Sequence, residues 1–159
     1  MKTTNDISNY TFLSHQTKRA LIYAIQEVKE NKLNVLTSKY MMYGILKAYP
    51  SLLSNNFKSI GGKNKIFNED INYLIYKCKL SLKDQKTQSF PKDESKKIIL
   101  SKTITDLFTS LFTDLEILKL TNDSIKNYNV ITTFSIFYEL LKNDDIKTWF
   151  KDEIFLQKK

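Results

Sequence analysis

The sequence predicts an all-α protein of about seven or eight helices, folded as two helical repeats about a pseudo-twofold axis. Three observations predict it. Only three Gly and two Pro occur in 159 residues, too few for the many tight turns of a β fold. Apolar residues recur in adjacent pairs four apart, which draws one stripe down an α-helix. The stripe also comes twice: Leu13-Ser14 followed by Ala20, Leu21, Ala24, Ile25 and Val28 returns as Leu100-Ser101 followed by Leu107, Phe108, Leu111, Phe112 and Leu115, at a constant offset of 87. A second match, Leu36 to Leu46 with Val130 to Leu140, has an offset of 94, so the later copy carries a longer loop.

Residues 1–12 are a polar lead-in with isolated apolar side chains. Ser14 has the hydroxyl an N-cap needs, and the first helix should run from it to about Glu30. Asn31 to Val35 form its exit loop. Thr37 or Ser38 caps the second helix, with Met41, Met42, Ile45, Leu46 and Tyr49 inward, and Pro50 stops it. Ser51 begins a third helix that turns in Leu52, Leu53, Phe57 and Ile60 and ends at Gly61-Gly62. Asn68 caps the fourth, whose inner face is Ile71, Leu74, Ile75, Cys78 and Leu82, with Glu69 and Asp70 in its positive first turn. Lys83 to Lys97, around Pro91, reads as an exposed linker. The fifth helix starts after Ser101 and reaches Leu115 or Leu120, and a polar loop from Asn122 to Asn129 follows. Thr132 caps the sixth, with Phe134, Ile136, Phe137, Leu140 and Leu141. Asn143-Asp144-Asp145 caps the seventh, which carries Ile146, Trp149 and Phe150, and Ile154-Phe155 begin a frayed eighth. The chain is thus one domain over 1–159: repeat 1 about 13–82, a linker about 83–97 and repeat 2 about 98–155. Each repeat alone exposes an apolar face, so the two close on one shared core, and the groove between them is the natural binding surface.

Composition excludes more than it assigns. No run approaches a membrane span and no signal-type leader opens the chain. The net charge of +8 comes almost wholly from lysine, Arg19 being the single arginine. An AT-rich genome over-uses Lys, Asn and Ile, and the side chain that reads phosphate bidentately is nearly missing, which argues against nucleic acid. His15 in the first turn of the first helix is an exposed polar residue. One histidine and one distant cysteine build no zinc site, so neither metal nor cofactor is expected. Cys78 is a small core residue that forms no internal disulfide. Gly61-Gly62-Lys63 lacks the spacing of a phosphate-binding loop. Glu116 and Glu139 are not spaced as an acid/base pair, and no nucleophile–base–orienter set exists, so no catalysis is expected.

The two repeats resemble the Clp N-terminal domain, the double helical module at the front of Clp-type AAA+ protein unfoldases. In that family each repeat opens Phe-Thr, then Ala-Leu and Ala at helical spacing, then Val-x-Thr-Glu-His-Leu-Leu-Leu-Ala-Leu. Here the openings are Leu13-Ser14 and Leu100-Ser101, and the second motif is Leu36 to Ile45 and again Val130 to Glu139. Phe57-Lys58-Ser59-Ile60-Gly61 matches the Leu-x-x-Leu-Gly that closes the family's third helix. The likeness spans about residues 12–155 and rests on pattern rather than identity.

What the resemblance implies is a double Clp-N bundle that acts as a non-catalytic recognition module. It would capture unfolded polypeptide or an adaptor protein and deliver it to the Clp AAA+ ring and its protease, the isolated domain being a monomer. The family's acidic position falls on Lys39 and Thr133 and its histidine on Tyr40 and Phe134. In some relatives those acids receive phosphorylated arginine, but a guanidinium needs a carboxylate and Lys39 repels it. Lys39, Tyr40, Thr133 and Phe134 are therefore the nominated peptide- or adaptor-binding residues. Tyr40 and Phe134 either receive apolar side chains or fill the core. With no ATPase region after Lys159, the chain reads as an excised front domain or as a stand-alone accessory docking on the protease core. The residue usage fits a plastid or apicoplast stroma, or the cytoplasm of a low-GC bacterium.

Overall fold

The structure, a computed structural model, describes residues 13–57, 68–84, 98–121 and 131–155, side chains at 68–69, 84 and 114–121 excepted. It is mostly helical. The described elements are α1 (His15–Glu30), β1 (Val35–Leu36), α2 (Ser38–Ala48), α3 (Pro50–Asn55), α4 (Asn68–Asp84), β2 (Ile99–Leu100), α5 (Lys102–Thr121), α6 (Thr133–Leu141), α7 (Asp144–Trp149) and a π-helical turn (Phe150–Ile154).

Local chemistry sets most helix starts. The Ser14 hydroxyl accepts from the Thr17 N–H at 3.0 Å, and Ser101 does the same for Ile104 at 3.2 Å. Thr132 caps α6 through Ser135 N–H at 3.2 Å, and Asn143 caps α7 through Asp145 N–H at 2.8 Å. Each satisfies one of the donors a first turn leaves free. At the other end of α1, Leu33 N–H returns to the Val28 carbonyl at 3.0 Å, with Lys32 left-handed at φ 60°. That is the glycine position of a six-residue helix-ending loop, held here by a residue whose Cβ resists it. Replacing Lys32 by Gly should raise the unfolding free energy by about 1 kcal/mol in urea titration.

The two short strands were not legible as periodic segments, and they hold the fold together. Leu36 pairs in parallel with Leu100, and Ser101 N–H donates to the Leu36 carbonyl at 3.0 Å. A matching parallel bridge joins Leu13 to Ile131, and Ser14 N–H donates to the Ile131 carbonyl at 3.0 Å. The Thr17 hydroxyl adds a second bond to that carbonyl, also 3.0 Å. In each case the residue before the first helix of one repeat meets the residue before the second helix of the other. The exchange is reciprocal.

This pairing corrects the alignment of the second match by one residue. The caps are Thr37 and Thr132, so the offset there is 95 rather than 94. Burial agrees: Ser38 and Thr133, Met41 and Ile136, Met42 and Phe137, and Ile45 and Leu140 are buried in both copies. Lys39 thus corresponds to Phe134, and Tyr40 to Ser135. The stripe of the first match keeps its offset of 87, with Leu21 and Phe108 both interior.

Other expectations shift. Pro50 opens α3 instead of merely ending α2, because a first-turn proline gives up an N–H that had no partner. Asn68 is the first residue of α4 rather than the residue before it. Phe134 points outward, not into the core. Ile154 and Phe155 close a π-helical turn continuous with α7 instead of starting a separate helix. The third helix ends at Asn55, with Asn56 and Phe57 in a turn, and so stops short of the expected Gly61-Gly62. Those two glycines, the linker around Pro91 and the loop from Asn122 to Asn129 lie outside the described residues.

The core is continuous through both halves. Gly44 sets the approach of α1 and α2: a Cβ there would lie 2.9 Å from the Ala24 Cβ and backbone N and closer still to the Ala20 carbonyl. Trp149 is buried, stacks on Phe150 at 5.5 Å, and donates its indole N–H to Ser81 Oγ at 2.8 Å. Phe150 stacks on Phe155 at 5.3 Å, and Phe155 meets the Phe57 ring edge-on at 5.0 Å. The end of repeat 2 is thereby packed on helices of repeat 1. Between α4 and α1, Lys79 Nζ bonds Glu27 at 2.6 Å and Glu30 at 3.1 Å. The Glu27 side chain is only 4% exposed.

Tyr43, a buried residue of α2, has its phenol pushed up to about 12 by burial. The unfolded chain ionises near pH 10 while the native one stays neutral, so the native state holds the extra proton and stability falls as pH rises between about 10 and 12. The loss should approach about 2 kcal/mol from this residue. Urea titrations across that window should show it, and Tyr43→Phe should flatten the fall. Lys79, desolvated yet held above its ordinary value by hydrogen bonds to Glu27 and Glu30, loses its contribution as pH rises past the ordinary lysine range.

Candidate partner-binding surface

The four nominated residues divide by position. Tyr40 lies in the core, its phenol oxygen accepting from Asn31 Nδ2 at 2.8 Å, and burial raises its pKa. Thr133 is buried in the first turn of α6. Lys39 is half-buried, with Nζ 5.9 Å from the centre of the Trp149 ring. Phe134 is 51% exposed. The pair that reaches the surface is therefore Lys39 and Phe134, the two that the corrected register makes equivalent.

Around Phe134 an aromatic ledge is built. Its ring stacks on Tyr138 one turn later at 5.7 Å and 25°. Tyr138, 44% exposed, meets the interior Phe137 edge-on at 5.4 Å and donates its hydroxyl to Asn56 Oδ1 at 2.9 Å. The hydrogen bond ties α6 to the end of α3, so the ledge is anchored to both repeats. Sequence reasoning missed Tyr138 and Asn56. The aromatic i, i+4 spacing of Phe134 and Tyr138 was the available signal; the Asn56 contact had none, because it joins residues far apart in the chain.

Two further exposed groups lie elsewhere. On α4, Tyr73, Tyr76 and Leu80 form an outward stripe, with Lys77 5.6 Å over the Tyr73 ring. On α1 and α2, Arg19 and Lys47 gather on Tyr23. Arg19 makes a long bond to the Tyr23 hydroxyl, 3.4 Å, and lies 5.8 Å from the ring centre; Lys47 lies 5.0 Å from it. The hydrogen bond and charge of Arg19 hold the Tyr23 phenol below its ordinary value.

Burial raises the Cys78 thiol far from a reactive value. Among the described residues no His, Cys, Asp and Glu side chains cluster to hold a metal ion, and no helix is long and apolar enough to cross a membrane. Among the described residues the surface presents an exposed aromatic ledge, an aromatic stripe and a paired-cation patch. No protein-family model, curated protein or solved structure matches the chain.

Proposed function

We propose that this chain is a non-catalytic recognition domain of the Clp N-terminal type, which captures unfolded polypeptide or an adaptor and presents it to an ATP-driven Clp ring. The observation that carries the reading is the reciprocal exchange of Leu13–Ile131 and Leu36–Leu100. Such an exchange, in which each half supplies backbone to the other's helix entrance, is what a duplicated module would be expected to make. The ring and its protease would lie in a plastid stroma or a bacterial cytoplasm, as the residue usage suggests.

The ligand follows from the side chains presented. Pairing with phosphorylated arginine needs a carboxylate in each repeat; the equivalent positions here hold Lys39 and Phe134, neither of which accepts a hydrogen bond. Phe134 and Tyr138 instead offer apolar area fixed by stacking, with a hydroxyl already tethered. Such rigid aromatic anchors lose little rotamer freedom on binding. An extended segment rich in aliphatic or aromatic residues is the matching partner.

Fluorescence anisotropy with a labelled, permanently unfolded polypeptide tests this directly. The whole chain should bind it, and replacing Phe134 and Tyr138 together by Ser should weaken binding about tenfold. Both side chains are half in solvent, so the fold should survive, as circular dichroism will check. Absence of binding, together with no effect of the chain on the ATPase rate of a Clp ring, would remove the assignment.

A further inference from the structure

Arg19 is the only arginine among 25 basic residues. It is exposed, and Tyr23 one turn later holds it by a hydrogen bond and by its ring. Lys47 comes to the same ring from the neighbouring helix, at 5.0 Å, and also lies 6.0 Å from Tyr43. Two full positive charges thus share one aromatic ring. Among the described residues neither cation reaches a carboxylate, whereas Lys79 and Lys142 both do. Glu30, which feels the charge of Lys47, is bonded to Lys79. The two cations repel each other, and the ring compensates only in part, each exposed cation–π contact contributing about 0.5–1 kcal/mol.

An anion seated between them would relieve that repulsion. Arg19 uses one of its five donors on Tyr23, which orients the guanidinium and leaves the others for a planar, two-oxygen acceptor. Ile22, 49% exposed, stands one turn from Arg19 on the same helix and adds apolar area beside the charges. The chemistry asked for is a carboxylate followed closely by an aliphatic side chain.

We propose that the Arg19–Tyr23–Lys47 patch binds an acidic peptide segment, its carboxylates bridging the two cations and a neighbouring aliphatic side chain lying on Ile22. A nucleic-acid strand fits less well. It needs a track of phosphate contacts, and among the described residues Arg19 and Lys47 are the two cations gathered on the Tyr23 ring. The patch lies on α1 and α2, whereas the aromatic ledge is on α6, so this assignment stands apart from the proposed capture of unfolded chains.

The test is anisotropy of a short fluorescein-labelled peptide of mixed Glu, Asp and Leu, at low salt, against the whole chain. Arg19→Ala and Lys47→Gln should each weaken binding about five- to tenfold. Lys102→Gln, an exposed lysine at the start of α5, should leave it unchanged. Equal loss in all three variants would mean diffuse attraction to the net charge and would overturn the site, as would no loss at Arg19 or Lys47. An unlabelled single-stranded oligodeoxynucleotide that binds more tightly than the peptide, and loses binding in those same two variants, would overturn the peptide assignment. Neither a ring nor an unfolded substrate is present, so failure here leaves the ledge on α6 untouched, and failure of the ledge leaves this patch standing.

Discussion

Gly44→Ala should destabilise the protein by about 3 kcal/mol, despite the helix propensity it gains. Alanine exceeds glycine by about 1 kcal/mol in a helix interior, so an exposed site would show the opposite sign. At Gly44 the added methyl meets the carbonyl of Ala20 and the backbone and Cβ of Ala24. Two of those atoms are main chain inside α1, with no rotamer to move aside. The helices must separate, and the side chains around Gly44, among them Met41 and Ile45, lose contact together. The urea midpoint should drop while circular dichroism keeps its helical form. Adding Ala24→Gly should restore little, because the Ala20 carbonyl stays in place. A variant as stable as the parent would show that α1 and α2 do not meet so closely.

Lys79→Met should cost a similar amount, about 2–3 kcal/mol, for a different reason. Among the described residues the ammonium is the one hydrogen-bond partner of the Glu27 carboxylate, whose side chain is 4% exposed. Removing it strands a buried charge. Lys79 is itself 31% exposed, so water reaches the site and the loss stays below that of a fully enclosed pair. The double variant Glu27→Leu with Lys79→Met replaces both charges by apolar groups and should recover most of the stability. The cycle separates the worth of the pair from the cost of half of it. If Lys79→Met alone were neutral in urea titration, the carboxylate would have to find another donor.

What could be read in advance follows how local its cause is. Ser14, Thr132 and Asn143 were legible as caps because a capping bond spans two or three residues. The stripe through Ala20, Leu21 and Ala24 was legible because burial imposes a period. Lys32 was not, since the left-handed turn it occupies advertises itself by glycine. Strands of two residues carry no alternation, so β1 and β2 left no trace. Nor did the one-residue slip in the second match: the order of caps and apolar pairs tolerates it, and only the hydrogen bonds of Leu36 and Ile131 decide. At the candidate surface the same slip hid the correspondence of Lys39 with Phe134. Tyr40 was read with its core alternative open, and the bond to Asn31 places it inside. Phe134 was read with the same two alternatives, and its 51% exposure and its stacking on Tyr138 place it at the surface.

The swapped pairing of helix-leading residues has a bearing on biosynthesis. The Thr17 hydroxyl and the carbonyl it meets are separated by 114 positions. A ribosome must therefore deliver 114 further residues before Thr17 finds its mate, and closing so long a loop slows folding. Neither half, expressed separately, has the backbone it needs to complete its own entrance, so split fragments should remain unstructured until mixed.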